Sequence, residues 1–262
     1  MASTTPPTFP TGGAGPVDGA PGAPGTDEHE AWAADLAAGR QVEIAGVLCD
    51  MDGTLVDSVP AVEDAWRALA GEYGVPVPGA GLHGRTAEAV VAALDIPAQE
   101  RPRAVQRLNE IESRDGQLLD PLPGVRAFLT ALPADRWGIV TSASGPVARA
   151  RFGAAGLPRP AFVVSGDDVA AGKPAPEPFA RGLRELRRRG LRGPVLALED
   201  THAGLRSARA AGCLAVGVTG TQRHDELALR AHHVIDSLEA LRVRVSGRRL
   251  TVAAVGADRP GL

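Results

Sequence analysis

Two aspartates separated by one residue, Asp50 and Asp52, directly follow an apolar run near the start of the chain. Side chains at positions i and i+2 of an extended segment point the same way, so both carboxylates can face one bound group. A carboxylate can attack phosphorus and form a covalent intermediate that water later hydrolyses. A second carboxylate can give a proton to the leaving oxygen and then take one from the attacking water. We therefore expect Asp50 to be a nucleophile and Asp52 to be a general acid and base.

Polar residues also follow the later apolar runs of the chain. Ligands of doubly wound sheets bind outside the carboxyl ends of the strands, so the residues after each run are candidates for a site. Gly53 would let the backbone turn closely after Asp52, and Thr54 would hold this turn or bind a phosphate oxygen. The other candidates follow the runs 137–140, 161–164 and 195–198, and they are Thr141, Ser142, Ala143, Lys173, Glu199 and Asp200.

The acidic side chains of this set predict a Mg²⁺ ion. An anionic nucleophile and an anionic phosphate about 4 Å apart repel each other by roughly 4 kcal/mol at an effective dielectric constant near 20. Mg²⁺ takes oxygen ligands and keeps several waters beside one or two carboxylates. The carboxylates of Asp50 and Asp200 and the backbone carbonyl of Asp52 suit this ion. Glu199 would be either a direct ligand or a support behind the ligands.

A lysine and two hydroxyl residues predict how a phosphate would be held. Lys173 would neutralise Asp50 and the oxygens of the transferring group as a point charge. Thr141 or Ser142 would bind a phosphate oxygen together with backbone N–H groups, such as that of Ala143, at a helix start. The residues by themselves do not decide between the two hydroxyls.

The apolar runs alternate with helical patterns, which predicts an α/β fold with a parallel, Rossmann-like sheet and right-handed crossovers. The first run, 44–49, and the last, 214–218, contain no polar alternation, as is typical of strands buried on both faces. The segment 241–254 alternates around Ser246-Gly247 and predicts a C-terminal β-hairpin.

Between the first two predicted strands, three helical patterns follow one another without a strand. Ser58 is a plausible capping residue for the first of these helices, and Pro60 suits its first turn. The patterns cover 59–73, Thr86–Leu94 and a stretch carrying Val105, Leu108 and Ile111. We therefore expect a small helical cap at 59–120, inserted into an α/β core formed by 41–58 and 121–255.

Residues 1–40 are expected to form a disordered tail followed by a short helix docked through Trp32 and Leu36, and 256–262 a second tail. The first 27 residues hold six prolines and six glycines. Compositions above roughly 25–30% Pro and Gly without a period are typical of disorder.

Charge and cysteine content exclude several classes of protein. A net charge of -3 argues against a nucleic-acid partner bound through bulk electrostatics. Two cysteines in 262 residues fit a reducing cytoplasm and do not make a disulfide scaffold. No apolar run reaches the roughly 18–20 residues that span a bilayer, so we expect no membrane association. The expected partner is a small phosphorylated metabolite, bound by a monomer or a homodimer.

The order of these motifs resembles the haloacid dehalogenase-like hydrolase superfamily. The resemblance rests on Asp-x-Asp-Gly-Thr-Leu-x-Asp at 50–57, a Thr-Ser strand end, Lys-Pro at 173–174 and Glu-Asp at 199–200, and it extends from Gln41 to about Ile235. The position of the helical insertion and stretches such as His83-Gly84-Arg85 are similar to the family's capped sugar and polyol phosphatases. The resemblance implies Mg²⁺-dependent phosphoryl transfer through an aspartyl-phosphate, and it favours Ser142 as the phosphate-binding hydroxyl.

The role of the insertion is open at this point. His83, Gly84 and Arg85 would form either a helix-entry loop with a solvated arginine or a surface that recognises the distal hydroxyls or a second phosphate of the substrate. Glu110 and Glu112, on the third predicted helix of the insertion, would either bind sugar hydroxyls or lie on a solvated helix face, and we expect the solvated face for both.

The candidate residues also bear on four functions other than that of a phosphatase. A sugar phosphomutase resembling β-phosphoglucomutase would use the same scaffold and differ in the lifetime of its aspartyl-phosphate. A catalytically idle binding protein would not need four mutually repelling carboxylates. A dehalogenase needs no second acid or metal cluster, and a phosphonate hydrolase would need a lysine in the cap. Residues 59–120 contain no lysine.

Overall fold

The computed structural model describes residues 26–114 and 119–255. The expected tails up to residue 25 and over 256–262 lie outside the described residues. The strands are β1 (Val42–Ile44), β2 (Gly46–Cys49), β3 (Trp137–Val140), β4 (Val163–Val164), β5 (Val195–Glu199), β6 (Leu214–Val218), β7 (His233–Ile235), β8 (Leu241–Ser246) and β9 (Arg249–Ala254). The α-helices are α1 (Thr26–Ala37), α2 (Val59–Tyr73), α3 (Ala87–Ala93), α4 (Arg101–Arg114), α5 (Val125–Ala131), α6 (Gly145–Ala154), α7 (Glu177–Arg188), α8 (His202–Ala210) and α9 (His224–Ala228).

A parallel sheet of six strands, in the order β4-β3-β2-β5-β6-β7, forms the centre of the described chain. Every residue of β2, β3, β5 and β6 is buried, which explains why these runs show no polar alternation. The strand order reverses at β2, because the chain builds outward from it first through β3 and later through β5. The carboxyl end of β2 is therefore the topological switch point, where open α/β sheets bind ligands.

A second, antiparallel sheet has the order β1-β9-β8. Its β8–β9 pair confirms the predicted C-terminal hairpin, with Ser246 paired to Arg249.

The predicted first strand, 44–49, was wrong in its bounds. Ile44 ends β1 and pairs with Leu250 of the hairpin, whereas Gly46 begins β2 in the parallel sheet, so the apolar run changes sheet at Ala45. The residues on both sides of Ala45 are buried, so the sequence shows one unbroken apolar run although its two parts belong to different sheets.

Helices cover both faces of the parallel sheet, as the prediction of an α/β Rossmann-like core requires. Leu36 of α1, Phe128 of α5 and Phe152 of α6 pack in one hydrophobic cluster. Phe179 of α7 and Leu205 of α8 belong to another cluster on a separate set of sheet residues. Packing between two layers of helices thus holds the strands, and with them the residues that follow the strands, in fixed relative positions.

The insertion has a hydrophobic cluster of its own. Trp66 of α2, Val91 of α3 and Leu108 of α4 belong to it, and α4 packs against both α2 and α3. The predicted helical patterns are confirmed, with Thr86 as the capping residue of α3. The prediction that Ser58 caps α2 was wrong. Its side chain makes no capping hydrogen bond, and its hydroxyl donates to Asp52 instead.

Two histidines lie where α1 docks on the core. The ring of His29 is buried 5.3 Å from the ring of His232, and His232 Nδ1 accepts a hydrogen bond from the backbone N–H of Ala215. Burial lowers the pKa of His29 below its usual 6.5 and lowers the pKa of His232 to about 4, with nearby Arg209 adding to both shifts. The folded protein therefore requires the neutral form of both rings.

We expect this histidine pair to make the fold sensitive to mild acid. Because the folded-state pKa values are depressed, the full contribution to stability is present above pH 6.5 and is lost as the pH falls from 6.5 toward about 4. Thermal unfolding at a series of pH values should show the midpoint falling by several degrees over this window. His29→Phe should flatten that dependence, and the exposed His224→Gln should not. An unchanged midpoint down to pH 4.5 would contradict this expectation.

Candidate active site

Lys173 lies at the centre of a buried ionic cluster beneath the carboxyl ends of the strands. Its Nζ donates to Asp50 Oδ1 and to Glu199 Oε1, each at 2.5 Å, and to the backbone oxygen of Val140 at 2.9 Å. These partners follow or end β2, β5 and β3. The parallel arrangement of the strands therefore brings together residues that lie up to 123 positions apart in the sequence.

Three carboxylates meet at this cluster. Asp50, Glu199 and Asp200 each offer an oxygen within 4.8 Å of the others. Both oxygens of Glu199 have protein donors, since Oε1 accepts from Lys173 and Oε2 accepts from the hydroxyl of Thr201 at 3.0 Å. Asp200 differs, because its Oδ2 is buried without a hydrogen-bond partner among the described residues.

Burial and mutual repulsion shift the proton affinities of these groups. Burial raises the pKa of Asp50 well above its ordinary value, with Lys173 opposing and the neighbouring carboxylates adding to the rise. Burial and Glu199 raise the pKa of Asp200 to about 7. Burial disfavours the charge of Lys173, but Asp50 and Glu199 outweigh it and raise its pKa. One ammonium among three buried carboxylates leaves negative charge uncompensated, which a divalent cation would balance.

The residues present fit a hard divalent cation. Such ions take carboxylate oxygens as ligands, and the orphaned Oδ2 of Asp200 lies in the same cluster as Asp50. Thr54, predicted to hold the turn or a phosphate oxygen, is fully buried and donates to Asp200 Oδ1 at 3.1 Å. It therefore orients this carboxylate.

Two glycines make room for the acidic cluster. Gly53 has a φ of 76°, and a Cβ there would collide with the carboxylate of Asp200. A Cβ on Gly204, in the first turn of α8, would collide with the carboxylate of Glu199. The glycine after Asp52 was predicted to serve a close turn, whereas nothing in the sequence pattern singled out Gly204.

Asp52 lies beside the cluster in a different hydrogen-bond environment. Its Oδ1 accepts from the hydroxyl of Ser58 at 2.5 Å and from Arg151 Nη1 at 2.9 Å. Asp50 and Asp52 line the same cavity, as their spacing predicted. Both of these hydrogen bonds to the Asp52 carboxylate go to Oδ1.

The hydroxyl residues after β3 line the same cavity. Thr141 Oγ1 accepts from the backbone N–H of Ala143 at 3.1 Å, so these two predicted phosphate contacts bond to each other. Ser142 Oγ donates to the backbone oxygen of Gly84 in the insertion at 2.8 Å. Ser144, which was not among the predicted site residues, has a buried hydroxyl without a hydrogen-bond partner among the described residues.

The insertion covers the cavity from the opposite side. His83, Gly84 and Arg85 all line it together with Trp66 and Asn109. His83 Nε2 lies 3.2 Å from a carboxylate oxygen of Glu63, and its ring stacks at 4.8 Å on Trp66, whereas Arg85 is exposed. Asn109 Oδ1 is buried without a hydrogen-bond partner in the described residues.

The expectation that Glu112 is solvated was wrong. Its side chain is only 9% exposed and lies 3.5 Å from Arg151 Nη2, whereas Glu110 is 40% exposed and pairs with Arg107. Arg151 was not among the residues predicted from the sequence. It shares the buried face of α6 with Val147, Ala148 and Phe152, so an arginine at an apolar helical position was the signal.

The sequence of the chain is similar to those of known hydrolases and phosphatases. The sequence model of the haloacid dehalogenase-like hydrolases matches residues 44–212. Hexitol phosphatase A of Escherichia coli (strain K12) is 38% identical over 208 residues, which cover 76% of this chain and 93% of that protein. Glycerol-1-phosphate phosphohydrolase 2 of Saccharomyces cerevisiae is 30% identical over 197 residues, covering 69% of this chain and 76% of that protein.

The chain is also similar in fold to a solved structure. The crystal structure of CbbY from Rhodobacter sphaeroides in complex with phosphate superposes with a TM-score of 0.59 at 26% identity, covering 74% of this chain and 95% of that one. Within the described residues, no helix has the length and apolarity to cross a membrane. From its match over 44–212 and its similarity to hexitol phosphatase A, the chain belongs to the haloacid dehalogenase-like hydrolase family.

Proposed function

We propose that the protein is a phosphatase that hydrolyses the phosphoric monoester of a small sugar or polyol. The observation that carries this proposal is the contact of Asp50 with Lys173 inside a buried acidic cluster, next to a cavity that also exposes Asp52. The named relatives that hydrolyse hexitol and glycerol phosphates support the substrate class.

Asp50 would be the nucleophile. One of its oxygens forms a bond to phosphorus as the ester bond to the leaving oxygen breaks, which leaves an aspartyl-phosphate. Asp52 gives its proton to the leaving alkoxide, then accepts a proton from the water that attacks the aspartyl-phosphate and releases inorganic phosphate. Because Ser58 and Arg151 both donate to Oδ1 of Asp52, Oδ2 would be the oxygen that carries this proton.

A Mg²⁺ ion would be held by Asp50, Asp200 and the backbone carbonyl of Asp52. When bound, it supplies positive charge that offsets the repulsion between the carboxylates and the phosphate. Glu199 would stand behind these ligands, since its oxygens already accept from Lys173 and Thr201. Lys173 would hold Asp50 in place and neutralise the transferring phosphoryl oxygens.

The hydroxyls of Thr141, Ser142 and Ser144 would bind the phosphate. The open hydroxyl of Ser144 supports a part for it, and release of Ser142 from Gly84 would free a second donor. We treat residues 59–120 as a cap that closes over the core formed by 41–58 and 121–255. The separate hydrophobic cluster of the insertion supports this division.

The substrate's organic part would lie against the cap. The unpartnered Asn109 Oδ1 and the carboxylate of Glu112 offer hydrogen-bond acceptors to this side of the cavity, which suits hydroxyl groups as donors. A carboxylate on the substrate would be repelled by Glu112. His83, Gly84 and Arg85 would complete the recognition surface at the cavity wall.

A phosphate-release assay with hexitol, hexose, glycerol and glycolate phosphates tests this function. We expect activity that requires Mg²⁺ and drops by more than about 100-fold in excess EDTA, since the cluster then repels the substrate. Sugar and polyol phosphates should exceed phosphoglycolate in kcat/KM by at least roughly 10-fold. Full activity in EDTA would contradict the proposal, and an isomerised sugar phosphate with little free phosphate would indicate a mutase instead.

The compartment is proposed to be the cytoplasm. Both cysteines, Cys49 and Cys213, are buried and free, and burial raises the pKa of each thiol. A chain that keeps its thiols unpaired fits a reducing environment.

A further inference from the structure

We propose that Arg151 is a positioning residue for Asp52, and that Glu112 of the cap makes this positioning depend on the docked cap. The inference rests on the proposed function, because it assigns Arg151 a part in the proton transfer that Asp52 performs there. Arg151 comes from α6 of the core, and Glu112 comes from α4 of the insertion. One guanidinium thus joins the proposed acid to the cap.

The contacts of Arg151 are those of a buried ion-pair network. Its side chain is 5% exposed, with Nη1 at 2.9 Å from Asp52 Oδ1 and Nη2 at 3.5 Å from Glu112 Oε1. A buried guanidinium requires such partners, because an uncompensated charge in the interior is strongly destabilising. Two carboxylates on opposite ends of a planar fork hold it in one orientation.

This network determines which oxygen of Asp52 is available. Ser58, just before α2, and Arg151 both donate to Oδ1, so the carboxylate cannot rotate without losing two hydrogen bonds. Oδ2 is then kept for proton exchange with the leaving group. Because Glu112 orients the guanidinium from the cap side, displacement of α4 would remove one of the two anchors of Arg151.

Arg151 is unsuited to binding the substrate phosphate directly. Both of its ends are engaged by carboxylates, so its single positive charge already faces two negative ones. A direct phosphate contact would have to displace Asp52. We therefore expect its loss to affect the chemical step more than substrate affinity.

The leaving group of the substrate provides the decisive test. An alkoxide needs the proton that Asp52 donates, whereas p-nitrophenolate leaves without one. Arg151→Met should therefore lower kcat/KM for glycerol 1-phosphate on the order of 100-fold, and lower kcat/KM for p-nitrophenyl phosphate by less than about 5-fold. KM for both substrates should change by less than about 3-fold. Arg149→Met on the same helix is the matched control and should leave both substrates unaffected.

A double-mutant cycle tests the part of Glu112. Glu112→Gln, which keeps the shape of the side chain, should lower kcat/KM for glycerol 1-phosphate by roughly 3–10-fold in the wild-type background, since positioning is weakened but not lost. In the Arg151→Met background the same substitution should cause a clearly smaller loss, because the part of its effect that passes through Arg151 is already gone. Glu110→Gln on the same helix should have no effect in either background.

A conservative variant covers the case in which Arg151→Met does not fold. Arg151→Lys keeps a charged donor but cannot bridge both carboxylates, so it should give an intermediate loss on glycerol 1-phosphate and none on p-nitrophenyl phosphate. If the wild-type protein released no phosphate from any monoester, the proposed function would fail. If the wild type is active but folded Arg151 variants lose both substrates equally, or lose neither, the inference is overturned. Independent, multiplicative losses in the cycle would overturn the part of Glu112.

Discussion

Asp50→Asn is expected to abolish phosphate release, with a fall in kcat on the order of 10⁴-fold or more. The amide has nearly the shape of the carboxylate but cannot form the bond to phosphorus that the proposed mechanism requires. The substitution also removes one of the three repelling carboxylates around Lys173. We therefore expect a folded protein that fails in chemistry. Single-turnover phosphate release with purified protein, together with its thermal unfolding midpoint, measures both properties.

Asp57→Asn provides the matched control for this variant. Asp57 belongs to the same loop but is exposed, so its amide substitution should leave kcat within about 2-fold of the wild type. Retention of more than a few per cent of activity by Asp50→Asn, with the control normal, would exclude Asp50 as the nucleophile.

Lys173→Met has the second largest expected effect, because it changes both stability and activity. Its ammonium is fully buried and is the shared partner of Asp50 and Glu199. Removing one partner of a buried ion pair typically costs about 3–5 kcal/mol. Activity should fall roughly 10³-fold, since the proposed mechanism uses this charge to neutralise the transferring oxygens. Denaturant unfolding in EDTA measures the first effect, and phosphate release with Mg²⁺ measures the second.

A second substitution separates charge from packing in this experiment. Asp50→Asn added to Lys173→Met removes one uncompensated carboxylate, so the double variant should recover part of the lost unfolding free energy while remaining inactive. A double variant less stable than Lys173→Met would contradict the explanation that uncompensated carboxylates cause the loss of stability.

The sequence predicted the parallel sheet and the convergence of its strand ends for one physical reason. A strand buried on both faces has to be apolar throughout, and parallel strands end at the same edge. The residues directly after β2, β3 and β5 could therefore be assigned to one cavity from their positions alone. The helices of the insertion were predictable because an amphipathic face repeats every three to four residues.

The contacts that cross between the insertion and the core could not be predicted in the same way. The pairing of Arg151 with Glu112 depends on the relative position of α4 and α6, which no local periodicity encodes. The same holds for the bond from Ser142 to Gly84, which joins residues 58 positions apart. The Ser58 hydroxyl could bond either to the start of α2 or to Asp52, and its bond to Asp52 depends on packing that the local sequence does not encode.

Lys173 is also the only lysine in the 262-residue chain, and the sequence carries the rest of its side-chain basic charge on arginine. Since this amine is fully buried between two carboxylates, amine-reactive reagents would find no lysine on the folded surface. Acylating dyes or crosslinkers would modify the α-amino group of an unblocked N-terminus and spare the interior. Because this one side chain is buried, conjugation would be selective for the α-amino group. Acylation of Lys173 would then report that the fold has opened around it.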